Sequence, residues 1–187
     1  MAQNKENTAL LVMDMQEQML SHLPGAAATI APVAAAISHA RENNIPVIYV
    51  VVGFRKGYHE IHPENKTFSQ VPKMYGDIDP AITMKIAPAL APQDNEPVVV
   101  KKRFSAFAGS DLELVLRSKG IRHIVMCGII TSGVVLSTLI EGADKDYIMT
   151  VLSDGCADMD IDLHQTLLQK VFPRHADVKT SEEWINS

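Results

Sequence analysis

The sequence predicts an α/β fold, a mainly parallel β-sheet covered by helices on both faces. Two observations carry this. Apolar runs of strand length alternate with segments of helical periodicity along the whole chain. The runs TALLVM (8–13), IPVIYVVV (45–52) and IRHIVMC (121–127) are almost continuously apolar, as strands buried on both faces are. A third observation bears on function: Asp14, Lys101 and the 130–134 turn all fall at carboxyl ends of predicted strands, where such sheets bind ligands. With 187 residues, 47% of them hydrophobic and 21% charged, the chain suits one domain spanning 1–187 with a full core.

The first strand, 8–13, ends at Asp14. Residues 26–43 are alanine-rich, with Ile30, Val33, Ile37 and Ala40 at helical spacing and Asn43-Asn44 as the stop. The second strand, 45–52, opens on Pro46, where a missing N–H costs least. Residues 53–93 are irregular, with Gly53, Gly57, Gly76 and five prolines, and read as a functional loop or cap holding a short helix. PVVVK (97–101) is the third strand. Ser110 and Glu113 predict a capping box for a helix that turns Leu112, Val115 and Leu116 inward and stops at Gly120. The fourth strand, 121–127, passes through a hinge at Gly128 into a helix from about Ser132 to Asp146, and 124–140 carries no charge. YIMTVL (147–152) is the fifth strand. A helix over 160–171 faces Ile161, Leu167, Leu168 and Val171 inward and ends by Pro173. A short strand (176–179) and a helical turn (181–184) close the chain.

Several classes are excluded. A net charge of −5 with no Lys/Arg stripe argues against nucleic acid. The start MAQNKENT lacks the apolar core of a secretory leader, and the 124–140 run is short and broken for a membrane span. Cys127 and Cys156 make no disulfide framework, so a reducing, cytoplasmic setting is expected. No GxGxxG follows the first strand and no GxxxxGK[ST] occurs, so neither a dinucleotide nor a P-loop nucleotide is expected as cofactor. His59 and His62, beside Glu60 and Glu64, have a spacing a metal site could use, but in a polar loop they read as solvated, and no metal is expected.

LLVMDMQ (10–16), KKRFSAFAGSDLELVLRSKGI (101–121), GIITSGVVLST (128–138), DYIMTVLSDGCAD with His164, and VFPRHADV (171–178) together resemble the isochorismatase-like hydrolase superfamily over nearly the whole chain. The resemblance implies a Rossmann-like three-layer α/β/α sandwich with a six-stranded sheet, commonly in a homo-oligomer. It implies Asp14 as general acid or base and Lys101 as its partner, and a cis peptide at Ile130–Thr131. One departure stands out. Cysteine hydrolases of this kind read G-x-x-T-x-x-C where this chain has Gly128, Thr131 and Val134, so the nucleophile position holds a side chain with no nucleophilic atom. The metal ligands of nicotinamidases are also missing from GFRKGYHEIHPENK (53–66).

The leading expectation is a small-molecule hydrolase using an Asp14/Lys101 pair without a cysteine, with vinyl-ether hydrolysis as the chemistry the resemblance permits. Lys101 would hold Asp14 and a substrate carboxylate. The Ile130–Thr131 turn and the N–H groups of Gly133 and Val134 would stabilise negative charge. Phe54, Phe104 and Phe107 would wall the pocket, although core packing explains apolar aromatics equally well. Lys102 and Arg103 read as a solvated face. Ser105 would bond a ligand or satisfy its own turn, and His164 would cap or pack. Two rival readings stay open: a metabolite-binding protein on a hydrolase scaffold, and a thiol hydrolase using Cys127.

Overall fold

In the computed structural model, which describes residues 7–187, six strands form one sheet in the order β3-β2-β1-β4-β5-β6. Residues 1–6, most of the polar start read against a leader, lie outside it. The strands are β1 (Thr8–Met13), β2 (Val47–Val52), β3 (Val98–Lys101), β4 (His123–Ile129), β5 (Ile148–Ala157) and β6 (Asp177–Lys179), and every pairing is parallel. The order reverses between β1 and β4, which are direct neighbours; a crevice beyond their carboxyl ends is therefore the expected ligand site.

Alternate side chains feed two cores. Leu11, Met13, Ile124 and Met126 pack on one face with Leu112, Leu116 and Leu139, from α5 (Leu112–Ser118) and α6 (Leu136–Asp144). Leu10, Val12, Val125 and Cys127 pack on the other with Val33, Ile37 and Trp184, from α2 (Ile30–Glu42) and α8 (Ser181–Ile185). All six residues of β1 and all seven of β4 are buried, as continuous apolar runs require. Among the described residues no helix is long and apolar enough to cross a membrane.

Several expectations need correcting. The capping box forms at Thr180 and Glu183 of α8; at α5, Ser110 Oγ accepts only from Leu112 N and donates to Ala106 O. β5 runs on to Ala157 through SDGCA, with its register against β4 broken between Met126 and Gly128. Inside that irregular stretch Asp154 accepts from both N and Oγ of Ser181, tying down the start of α8. The helix after β5 is α7 (Ile161–Thr166) followed by a wider π turn to Val171. Ile161, expected inward, is 73% exposed, whereas Leu167 and Leu168 are buried and Val171 packs against the core as expected. A helix absent from the sequence reading, α1 (Glu17–His22), follows β1 directly. The 53–93 segment holds two short helices, α3 (Val71–Tyr75) and α4 (Pro80–Thr83).

Candidate active site

At the end of β1 the backbone of Asp14 enters the left-handed region (φ 54°), with its N–H donated to Val50 O at 2.8 Å. For a non-glycine residue this conformation is uncommon and concentrates at functional sites. It delivers the carboxyl to the switch-point crevice while leaving it 1% exposed. Lys101, at the end of β3 two strands away, is equally buried, and its Nζ lies 2.8 Å from Asp14 Oδ2.

The lysine has nothing left to offer. Its Nζ also donates to Arg103 O at 3.1 Å and Phe104 O at 3.0 Å, which accounts for all three ammonium hydrogens. The expected second role, holding a substrate carboxylate, would require breaking one of these bonds. Lys101 instead anchors the 102–105 turn and balances Asp14. The other oxygen of Asp14, Oδ1, is buried without a hydrogen-bond partner. Burial raises the Asp14 carboxyl and the Lys101 charge and hydrogen bond lower it, with the net result pushed up to about 6.

At the end of β4, Gly128 adopts φ 144°, and a Cβ there would collide with the backbone carbonyl of Met13. That close approach lets β4 pass β1 at the crevice floor. The cis peptide lies at Ile129–Ile130, one bond before the expected Ile130–Thr131. The chain then enters a π turn (Thr131–Val135) before α6. Ile130 O collects the N–H groups of Gly133 (3.2 Å), Val134 (2.9 Å) and Val135 (3.2 Å), and Ser132 N donates to Asp158 Oδ2 at 2.6 Å. The Gly133 and Val134 donors expected to face an oxyanion are therefore engaged within the turn. Thr131 is fully buried and points away from the crevice elements: its Oγ1 donates to Ala157 O at 3.1 Å. With that one proton committed, Oγ1 must accept from His164 Nδ1 at 2.8 Å, so the imidazole carries its proton on Nδ1. His164 and Asp158 thus brace the turn from α7 and the end of β5.

Asp14, Lys101, Ile130, Gly133 and Val134 line one cavity of about 350 Å³, with Met19, Val52, Phe68, Phe104, Ser132 and Ser137. Four of the lining residues, Met19, Val52, Phe68 and Ile130, also line a second cavity of about 340 Å³ under the 53–93 segment. Phe54 belongs to this outer chamber, packed on Phe68 with ring centroids 6.0 Å apart. Phe107 lines neither chamber. It stacks on Tyr147 in the core, because Ser105 Oγ accepts Phe107 N and the turn directs the ring away. Phe104 takes the wall position instead, against Phe68 at 5.0 Å. Lys102 and Arg103 are not a solvated face: Lys102 Nζ donates to Gly53 O at 2.7 Å and Arg103 to Glu60 O at 2.7 Å, with the guanidinium over the Phe68 ring. They hold the cap on the site.

Sequence reasoning missed Gln16. Its Nε2 donates to Val52 O (3.1 Å) and Thr83 O (2.6 Å), and its Oε1 accepts from Val52 N (2.8 Å), which joins β1, β2 and the cap. A glutamine three residues past a buried strand was the available signal. The Cys127 reading meets a physical obstacle. The thiol is fully buried, its Sγ lies 3.6 Å from Leu11 O, and burial pushes its pKa well up, away from a thiolate. Among the described residues, no group of three or more His, Cys, Asp or Glu side chains is placed to hold a metal ion.

Comparison with known proteins bears directly on this geometry. The Isochorismatase domain family matches residues 8–183. A ureidoacrylate amidohydrolase, RutB, of Azorhizobium caulinodans is 33% identical over 172 residues, covering 80% of this chain and 76% of that protein. An isochorismatase family protein from Burkholderia thailandensis superposes with a TM-score of 0.85 at 30% identity, over 95% of this chain and 93% of the other. A cysteine hydrolase from Pseudomonas syringae pv. phaseolicola gives a TM-score of 0.88 at 26% identity, over 98% and 92%.

Proposed function

The chain belongs to the isochorismatase family, and on that premise we propose that it hydrolyses a small molecule without a covalent thiol intermediate, with Asp14 as the proton donor. The observation that carries the reading is the unpartnered Oδ1 of Asp14 at a cavity where the position expected to hold a cysteine is Val134, with no nucleophilic atom. A carboxyl raised to about 6 keeps an acidic proton available near neutral pH, as general-acid catalysis requires.

The chemistry that fits is hydrolysis of a vinyl ether. Asp14 gives its proton to the enol-ether carbon, whose C=C pair forms the new C–H bond and leaves an oxocarbenium ion. Water adds at the cationic carbon and returns a proton to the Asp14 carboxylate. The hemiketal then collapses to a ketone and an alcohol. Lys101 acts by position: it fixes Oδ2 and leaves Oδ1 to carry the proton. The test is a side-by-side screen of enol-ether and amide substrates with wild type and Asp14→Asn. Turnover should fall at least about 10²-fold in the variant; unchanged turnover would refute the assignment.

One observation favours a second reading, a metabolite-binding protein on the same scaffold. The N–H groups of Gly133 and Val134 and all three N–H of Lys101 are already bonded within the protein. Ligand-induced stabilisation in a metabolite screen, with no product formed, would select it. Free, buried thiols at Cys127 and Cys156 support a reducing cytoplasmic setting.

A further inference from the structure

The two chambers differ in chemistry. The inner one holds the Asp14–Lys101 pair, and its one fully buried polar side-chain atom without a hydrogen-bond partner, among the described residues, is Asp14 Oδ1; the half-buried Ser132 and Ser137 also line it. Its buried cation is saturated. With Asp14 ionised, as it is above about pH 6, a carboxylate placed beside Oδ1 would meet another oxygen anion and find no free ammonium hydrogen, whereas an uncharged N–H or O–H donor would satisfy the acceptor. The outer chamber is walled chiefly by apolar and aromatic surface, including Phe54, Val71, Met74 and Ile78. Met19, Val52, Phe68 and Ile130 line both chambers, which places the two side by side. The outer chamber is about as large as the inner one.

We propose that the substrate is a two-part molecule, with an uncharged polar head beside Asp14 and an unbranched alkyl or aryl tail filling the outer chamber. The proposal rests on the hydrolase reading only for which end reacts; occupancy of the chambers is a matter of binding. Cap and catalytic floor then share one ligand, and the cap contacts made by Gln16, Lys102 and Arg103 hold the tail chamber in register with the reacting end.

The experiment is calorimetric titration of the full chain with straight-chain primary amides from butanamide to octanamide, and with the matching carboxylates, at pH 7.5. Affinity for the amides should rise about three- to four-fold per methylene, since each buried CH₂ contributes a fixed increment. The carboxylates should bind at least tenfold more weakly than the amides. Val71→Trp, which fills the outer chamber, should flatten the dependence on chain length, and Val71→Ala should extend it. Met74→Trp is a second filling variant at a side chain 69% exposed, where no packed core is disturbed. No rise with chain length, or no binding at all, would overturn the tail chamber, and so would a rise indifferent to the filling variants. Carboxylates binding as tightly as amides would overturn the uncharged head. Each of these outcomes is independent of turnover: a site that binds the series but hydrolyses nothing refutes the hydrolase reading and leaves this inference standing.

Discussion

Asp14→Asn removes one titrating proton from a buried site and changes little else in shape, so the pH dependence of its effect on stability can be worked out. The Asp14 carboxyl sits near 3.8 in an unfolded chain and at about 6 in the folded protein. Between those values the folded state binds the proton more tightly than the unfolded state, and stability falls as pH rises. The stabilising contribution is fully present below about 3.8 and is lost once pH has passed about 6. A shift of about two pH units corresponds to roughly 3 kcal/mol in all, near 1.4 kcal/mol per unit within the window. Asparagine has no such proton. Urea unfolding of wild type and Asp14→Asn from pH 4 to 7.5 should therefore show the variant gaining relative stability up to about pH 6, and a constant difference above it. The uncompensated ammonium of Lys101 in the variant adds a largely pH-independent offset, since wild type with Asp14 protonated carries it too. A difference constant across the whole range, or one moving the other way, would show that Asp14 does not titrate as a buried carboxyl.

Three further variants probe the same crevice. Val134→Cys places a thiol in the chamber with Asp14 and Lys101. Mass spectrometry should find one carboxamidomethyl adduct after iodoacetamide in native conditions, and none on wild type, whose thiols at Cys127 and Cys156 are buried. Cys127→Ala should leave turnover of any confirmed substrate intact while lowering stability by about 1 kcal/mol, the scale of a small core truncation; lost turnover in a folded variant would restore the thiol reading. Gly128→Ala should cost about 3–5 kcal/mol in urea unfolding, because the new methyl meets the Met13 carbonyl and φ 144° disfavours any side chain.

The sheet was legible because its strands are buried on both faces, and two-sided burial leaves an unbroken apolar run with little ambiguity: β1 begins and ends as expected, and β2 and β3 shift by two residues or fewer at their starts. What was hidden depends on contacts distant in sequence. β5 extends through SDGCA because Asp154 is held by Ser181, 27 residues later, which no local pattern announces. The Ser110 capping box was a sound local reading, but Ser110 bonds back to Ala106 and the helix starts at Leu112. At the site, Asp14 and Lys101 were visible at strand ends, and the family resemblance paired them. The saturation of Lys101 was not visible, since its other acceptors are backbone carbonyls of the turn that follows it. The same holds for Gly133 and Val134, whose N–H groups turn inward onto Ile130 because the turn is of the π type. Phe104 and Phe107 are only three residues apart, and which of them reaches the cavity is settled by the turn between them.

The central claim is that Asp14 delivers a proton, and the most direct measurement is the pH dependence of kcat/KM on a hydrolysed substrate. If Asp14 is the acid, kcat/KM is flat at low pH and falls tenfold per unit above about 6, where the carboxyl ionises. If kcat/KM instead rises through that value to a plateau, Asp14 works as a base and the vinyl-ether mechanism is wrong.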